Sequence, residues 1–186
     1  MGAVLAGGRG RRIGGDKAVV ELDGRPLLSY PLAALGEVVG DVAVVAKRDS
    51  ALPPLRGAAT VWYEPDEPRH PLTGVVHALR MARGRAVLVV AGDMPLVDAA
   101  LVRTLAGADA AGRLAVVPLA GGRLQPLCAR YEPGALAALE NFDPSAPVTD
   151  VVGTLGPAEL PFADETPFFN VNAPEDLLQV SAILAR

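Results

Sequence analysis

Gly2-Ala3-Val4 runs directly into Leu5-Ala6-Gly7-Gly8-Arg9-Gly10-Arg11-Arg12-Ile13-Gly14-Gly15-Asp16-Lys17, a short apolar strand followed by a loop holding five glycines, three arginines and a lysine. Glycines let a backbone double back and aim several N–H groups at one anion, and the basic side chains add positive charge. The stretch therefore predicts a phosphate cradle at a strand end, with a polyphosphate as its ligand. A mobile surface loop could carry the same residue types, but the apolar strand immediately before it favours a functional loop. Two familiar glycine loops do not fit. A Walker-type loop needs Ser or Thr after Gly-Lys, whereas Lys17 stands between Asp16 and Ala18. The dinucleotide fingerprint beginning at Gly8 and Gly10 would need a third glycine where Ile13 stands.

Beyond this loop, apolar runs alternate with stretches of helical period, the pattern of an α/β sandwich built on a parallel sheet. Strands are expected at 2–6, 42–46, 60–64, 86–91, 114–119, 124–131 and 168–171, and helices at 26–36, 73–83, 98–107, 133–141 and 174–185. Asn172 reads as the N-cap of the last helix, with Pro174 just inside it and Glu175 and Asp176 in the first turn. Proline clusters at 65–71 and 144–147 read as loops over the site. In such sheets ligands gather at the carboxyl ends of strands, where the glycine loop, Asp66 and Asp93 are all expected to fall.

The 186 residues fit one domain spanning 1–186, long enough to bury about 70% of the unfolded surface. Half of the residues are apolar and a fifth charged, which excludes a disordered tail. Apolar runs such as Ala86–Ala91 fall far short of the roughly 20 residues of a membrane span. No basic leader with an apolar stretch opens the chain, so a cytoplasmic location is expected. A net charge of −4 argues against a nucleic-acid surface, because the arginines near the start are local. Cys128 is the single cysteine, which rules out an intrachain disulfide and leaves a thiol expected to be buried.

Gly92-Asp93-Met94-Pro95 follows the most apolar strand. A carboxylate displayed there by a Gly/Pro turn is a hard oxygen ligand suited to magnesium carrying phosphates, although an isolated Gly-Asp can also satisfy turn amides. Lys17, at the end of the cradle, can neutralise charge growing on a phosphate. At least one of Arg9, Arg11 and Arg12 is expected on a phosphate, since guanidinium forks match its oxygens. Asp66 could accept hydrogen bonds from a base or ribose, or simply be solvated. His70 and His77 lack the spacing of a metal pair, and Cys128 has no nearby histidine in sequence.

Taken together, Leu5-Ala6-Gly7-Gly8, Arg11-Arg12-Ile13-Gly14-Gly15-Asp16-Lys17, Pro71-Leu72-Thr73-Gly74, Gly92-Asp93-Met94-Pro95, Gln125-Pro126-Leu127 and Phe169-Asn170-Val171-Asn172-Ala173-Pro174-Glu175-Asp176-Leu177 resemble the molybdenum cofactor guanylyltransferases. The glycine loop and Gly-Asp-x-Pro are shared with the wider nucleotidyltransferase superfamily, whereas the Asn-Val-Asn-x-Pro-Glu segment is more diagnostic. The resemblance implies a Rossmann-like three-layer sandwich and transfer of GMP from GTP to the terminal phosphate of molybdopterin carrying molybdenum. Pyrophosphate would be released, Mg2+ would be the cofactor, and molybdoenzyme maturation proteins would be partners. The implied nucleotide contacts are Leu5, Ala6, Gly7, Gly8, Lys17, Asp66 and Asp93, with Asp93 also on the metal. Lys17, Asp93 and Arg12 form the expected catalytic set, and Gln125, Asn170 and Asn172 the active-site wall toward the acceptor. One departure stands out: the family can carry asparagine at the end of the second strand, where this chain has Val44-Val45-Ala46-Lys47. A cytidylyltransferase for the same pterin, a sugar-phosphate nucleotidyltransferase and a non-catalytic nucleotide-binding module remain alternatives.

Overall fold

The computed structural model describes residues 1–7, 9–10, 15–55, 57 and 59–185. Along the chain the strands are β1 Gly2–Leu5, β2 Arg9–Gly10, β3 Gly15–Asp16, β4 Glu21–Leu22, β5 Arg25–Pro26, β6 Val42–Ala46, β7 Thr60–Tyr63, β8 Val87–Ala91, β9 Ala115–Ala120, β10 Arg123–Leu124, β11 Cys128–Tyr131 and β12 Ala158–Phe162. The helices are α1 Ser29–Gly36, α2 Pro71–Met81, α3 Ala99–Gly107, α4 Ala135–Leu139, α5 Val148–Gly153 and α6 Pro174–Leu184. Among these residues no helix is long and apolar enough to cross a membrane.

The main sheet runs β10-β9-β11-β8-β1-β6-β7, with β12 also on β9. β8, β1, β6 and β7 are mutually parallel, so their carboxyl ends open on one edge. Period-two alternation sends neighbouring side chains to opposite faces. Val4, Val44 and Val90 pack with Leu28, Leu35 and Leu105 on one side. Ala3, Val45 and Val89 pack with Leu72, Val75 and Leu79 on the other. Burial on both faces is why these strands read as unbroken Val/Ala/Leu runs, and each fully buried Leu or Val contributes about 1.5–3 kcal/mol. The result is an α/β three-layer arrangement with a largely parallel centre, as expected from the sequence.

Three local expectations are corrected, and two elements, α5 and β12, stand where none was expected. The single strand expected over 124–131 is split into β10 and β11, because Pro126 has no N–H to give a ladder and Gln125 N bonds back to Pro118 O at 2.9 Å. The strand expected over 168–171 is instead a 3-10 turn, Thr166–Phe168, followed by extended chain in which Val171 N bonds Asp93 O at 2.9 Å. α6 is capped at Ala173, not Asn172. There the Asp176 carboxylate accepts from both Asn172 N and Ala173 N, which leaves the Asn172 side chain available for other work. β12 and α5 had no clear sequence signal: β12 contains Pro161 and Glu159 and lies at an edge, where proline is tolerated.

Candidate active site

The glycine loop folds back as a ribbon in which β2 pairs antiparallel with β3, Arg9 opposite Asp16. That return delivers Lys17 to the end of the sheet, at the start of a 3-10 turn whose Ala18 is buried. Lys17 Nζ donates to Asp93 Oδ2 at 2.8 Å and to Asn172 Oδ1 at 2.6 Å. Three segments far apart in sequence thus meet at one ammonium, and the Lys17 and Asp93 side chains stay 15% and 20% exposed.

Each partner is fixed from behind. Asp93 follows β8 on the turn opened by Gly92, whose N–H donates to Leu5 O at 2.9 Å and ties the β8 turn to the glycine loop. A Cβ on Gly92 would stand 2.9 Å from Leu28 Cδ1 and 3.0 Å from Leu5 O. Gly92→Ala is therefore expected to destabilise the protein by about 1–3 kcal/mol, read as roughly 2–4 °C of Tm per kcal/mol. An unchanged melting temperature would refute that packing argument. In the third segment Val171 is fully buried beside Leu22, Leu27 and Val180, anchoring the residues on either side of it. Asn172 Nδ2 donates to Asn170 O, which sets its amide so that Oδ1 faces Lys17, and Asn170 Nδ2 donates to Phe168 O.

Lys17 and Asp93 form one side of a cavity of about 480 Å³, whose wall also includes Leu5, Ala6, Gly7, Gly74, Gly92 and Leu127. Ala6 N is tied to Val45 O at 2.8 Å, holding the strand-to-loop transition against β6. On the far side of the loop lie Lys47, after β6, and Glu64, after β7. Lys47 Nζ donates to Pro65 O at 2.6 Å and stands 3.4 Å from Glu64 Oε1, with only 5% and 6% of the two side chains exposed. Burial raises the Glu64 carboxyl above its ordinary range, against the pull of Lys47. Its Oε2 is buried with no hydrogen-bond partner among the described residues. A Cβ on Gly7 would come within 2.7 Å of Glu64 Oε1, so the glycine is what lets the loop lie over this carboxylate.

The other candidates divide. Gly8, Arg11, Arg12 and the side chain of Arg9 lie outside the described residues. Asp66 is exposed and is not among the residues lining the cavity, where the acidic residue beside Lys47 is Glu64. Gln125 sits in the turn between β10 and β11, and its neighbour Leu127 reaches the cavity wall instead. Lys47 and Glu64 carried one overlooked signal: each directly follows a parallel strand, the position where open sheets collect ligands. His70 caps α2, its Nδ1 accepting from Leu72 N and its Nε2 lying 3.2 Å from Ala146 O. Cys128 is fully buried, and burial pushes its thiol up to about 12, so it has no thiolate to offer.

Among the described residues no cluster of three or more His, Cys, Asp or Glu could hold a metal ion by itself. Asp93 suits a different arrangement: its Oδ2 is on Lys17, while Oδ1 has no hydrogen bond among the described residues. A single carboxylate at a polyphosphate site is the provision magnesium uses when most of its ligands are water and phosphate oxygens.

Residues 2–156 match the family described as the MobA-like NTP transferase domain. A molybdenum cofactor guanylyltransferase of Cereibacter sphaeroides is 37% identical over 194 residues, an alignment covering 100% of this chain and 97% of that protein. A probable molybdenum cofactor guanylyltransferase of Thermococcus gammatolerans is 35% identical over 188 residues, covering 95% and 96%. Among solved structures, the molybdopterin-guanine dinucleotide biosynthesis protein A of Archaeoglobus fulgidus superposes with a TM-score of 0.78 at 25% identity, covering 99% of this chain and 98% of that one. The 2-C-methyl-D-erythritol 4-phosphate cytidylyltransferase of Thermus thermophilus shares the fold at a TM-score of 0.70 and 21% identity, covering 99% and 98%.

Proposed function

This chain belongs to the MobA-like NTP transferase family, and from that premise we propose that it transfers GMP from GTP to the terminal phosphate of molybdopterin carrying molybdenum. The whole of 1–186 acts as one nucleotidyltransferase domain in this reading. The observation that carries it is the meeting of Lys17, Asp93 and Asn172, the first two of which line the glycine-loop cavity. A nucleotide-binding module without turnover would not need a cation and a carboxylate juxtaposed there.

The reaction forms a bond from an oxygen of the pterin phosphate to the α-phosphorus of GTP and breaks the bond from that phosphorus to the bridging oxygen, releasing pyrophosphate. The nucleophile is already an anion, so no general base is required. What the protein must supply is alignment of two anions and screening of their charge. Magnesium held at Asp93 would draw charge from the phosphate oxygens. Lys17 supplies a second positive charge, and two of its three N–H groups are spoken for by Asp93 and Asn172, leaving the third for a phosphate oxygen. The backbone of Leu5, Ala6 and Gly7 faces the nucleotide. Asn170 and Asn172, on the C-terminal segment across from the glycine loop, stand toward the acceptor.

Pyrophosphate release measured with GTP, ATP, CTP and UTP, with and without molybdopterin, tests this reading. GTP is expected to exceed ATP by at least about tenfold in kcat/KM, each tenfold being about 1.4 kcal/mol. CTP as the better donor would overturn the guanylyl assignment while leaving nucleotidyl transfer in place.

A further inference from the structure

Residues 157–186 lie beyond the part of the chain that matches the family, yet they supply one of the two acceptors on Lys17. The stretch 170–173 that carries this acceptor is neither helix nor strand, so no ladder fixes its backbone and each group has to be held singly. Val171 is held twice, by its N–H on Asp93 O at 2.9 Å and by its fully buried side chain. The next two N–H groups, those of Asn172 and Ala173, both donate to one oxygen, Asp176 Oδ2, at 2.7 and 2.9 Å. Asp176 rides on a helix that is itself anchored. Val180 of α6 is fully buried against Leu22 and Leu27, and Ser181 Oγ donates to Asp23 Oδ1 at 2.7 Å.

Resting on the nucleotidyl-transfer reading above, we infer that Asp176 is a positioning residue for the reaction: its carboxylate fixes the backbone of Asn172 so that the Asn172 amide oxygen holds the Lys17 ammonium in place. Asp93 and Asn172 share that ammonium in the resting protein. In the reading above Asp93 also serves a metal ion, so Asn172 Oδ1 is the hold on Lys17 that a metal does not contest. The Asn172 amide is turned by its own Nδ2 on Asn170 O at 3.2 Å, a bond within the same stretch that cannot fix where the stretch runs. Asn172 Oδ1 stands 2.6 Å from Lys17 Nζ, and a further displacement of about 1 Å takes the pair out of hydrogen-bond range. Misplacements of that size cost about 100-fold in rate. Stability answers differently. Asn172 is exposed, so water can take up its freed N–H, and the loss is that of an ordinary helix cap. A carboxylate that served only the helix would lower the melting temperature and leave turnover of the folded protein unchanged.

Pyrophosphate release, thermal melting and lysine NMR on the full chain separate the two roles. The chain has two lysines, Lys17 and Lys47, so lysine labelled with 13C at Cε gives two signals, of which Lys47 is the internal reference. Asp176→Ala is expected to shift the Lys17 signal and leave that of Lys47 unmoved. It should lower kcat about 10- to 100-fold while KM for GTP stays within about threefold, and lower Tm by only a few degrees, roughly 2–4 °C. Asp176→Asn, which keeps a carbonyl oxygen for the two N–H groups, should restore kcat to within about threefold of native. In an Asn172→Ala background Asp176→Ala should change kcat no further, because no amide is left to position, while still lowering Tm. Asp176→Ser, whose hydroxyl is too short to take both bonds, carries the same expectations should Asp176→Ala not fold. The inference is overturned if the variant melts lower but turns over like the native chain, if its Lys17 signal does not move, or if the effects of the two substitutions on kcat multiply. Failure of the nucleotidyl-transfer reading would show separately, as no pyrophosphate release by the native chain with any of the four triphosphates.

Discussion

Asp93→Asn is expected to lower magnesium-dependent turnover by about a thousandfold or more, close to 4 kcal/mol of barrier, while the protein melts within a few degrees of the native chain. The substitution preserves shape and removes one negative charge from a side chain that is 20% exposed, at a strand end outside the core. Lys17 keeps its bond to Asn172 and so stays in place. The loss thus falls on the ability to hold a hard cation against the phosphates. Turnover and thermal melting measured side by side check this, and near-native magnesium-dependent activity would remove Asp93 from the metal role.

Lys17→Ala is expected to raise the barrier by about 2–4 kcal/mol, roughly 30- to 1000-fold in kcat, while GTP affinity changes much less. The reason is geometric. With Asp93 on one N–H and Asn172 on another, the ammonium is already oriented in the resting protein, so it can meet charge as it develops without reorganising. Single-turnover rates together with GTP titration separate the two effects. A loss confined to KM would mean that Lys17 binds ground state and transition state alike.

The central strands were legible because parallel strands buried on both faces must be apolar at every position, as Val42–Ala46 and Val87–Ala91 are. Lys17 and Asp93 were legible as site candidates because a cation after a glycine loop and a carboxylate after a strand have few structural uses there. Their direct contact was not, since nothing local in either segment encodes a partner 76 residues away. Asn172 was misread as a helix cap for a related reason. Asn is a strong N-cap by propensity, but Asp176 reaches back to the two free amides and releases it. Lys47 and Glu64 were hidden by the opposite problem, because charged residues next to strands are ordinarily solvated, and only the packing of Gly7 and Gly74 reveals that this pair is enclosed. β12 was lost to its proline, which sequence patterns treat as a strand breaker although an edge accommodates it.

Whether this chain joins a guanylyl group to molybdopterin is read from the identity of the product. The purified chain is incubated with GTP, magnesium and molybdopterin carrying molybdenum, and the pterin is recovered for mass spectrometry. A guanine dinucleotide form of the pterin is expected, formed one for one with pyrophosphate and absent from the Asp93→Asn reaction. Recovery of the pterin unmodified, while the same preparation joins a nucleotide to a sugar phosphate, would contradict it.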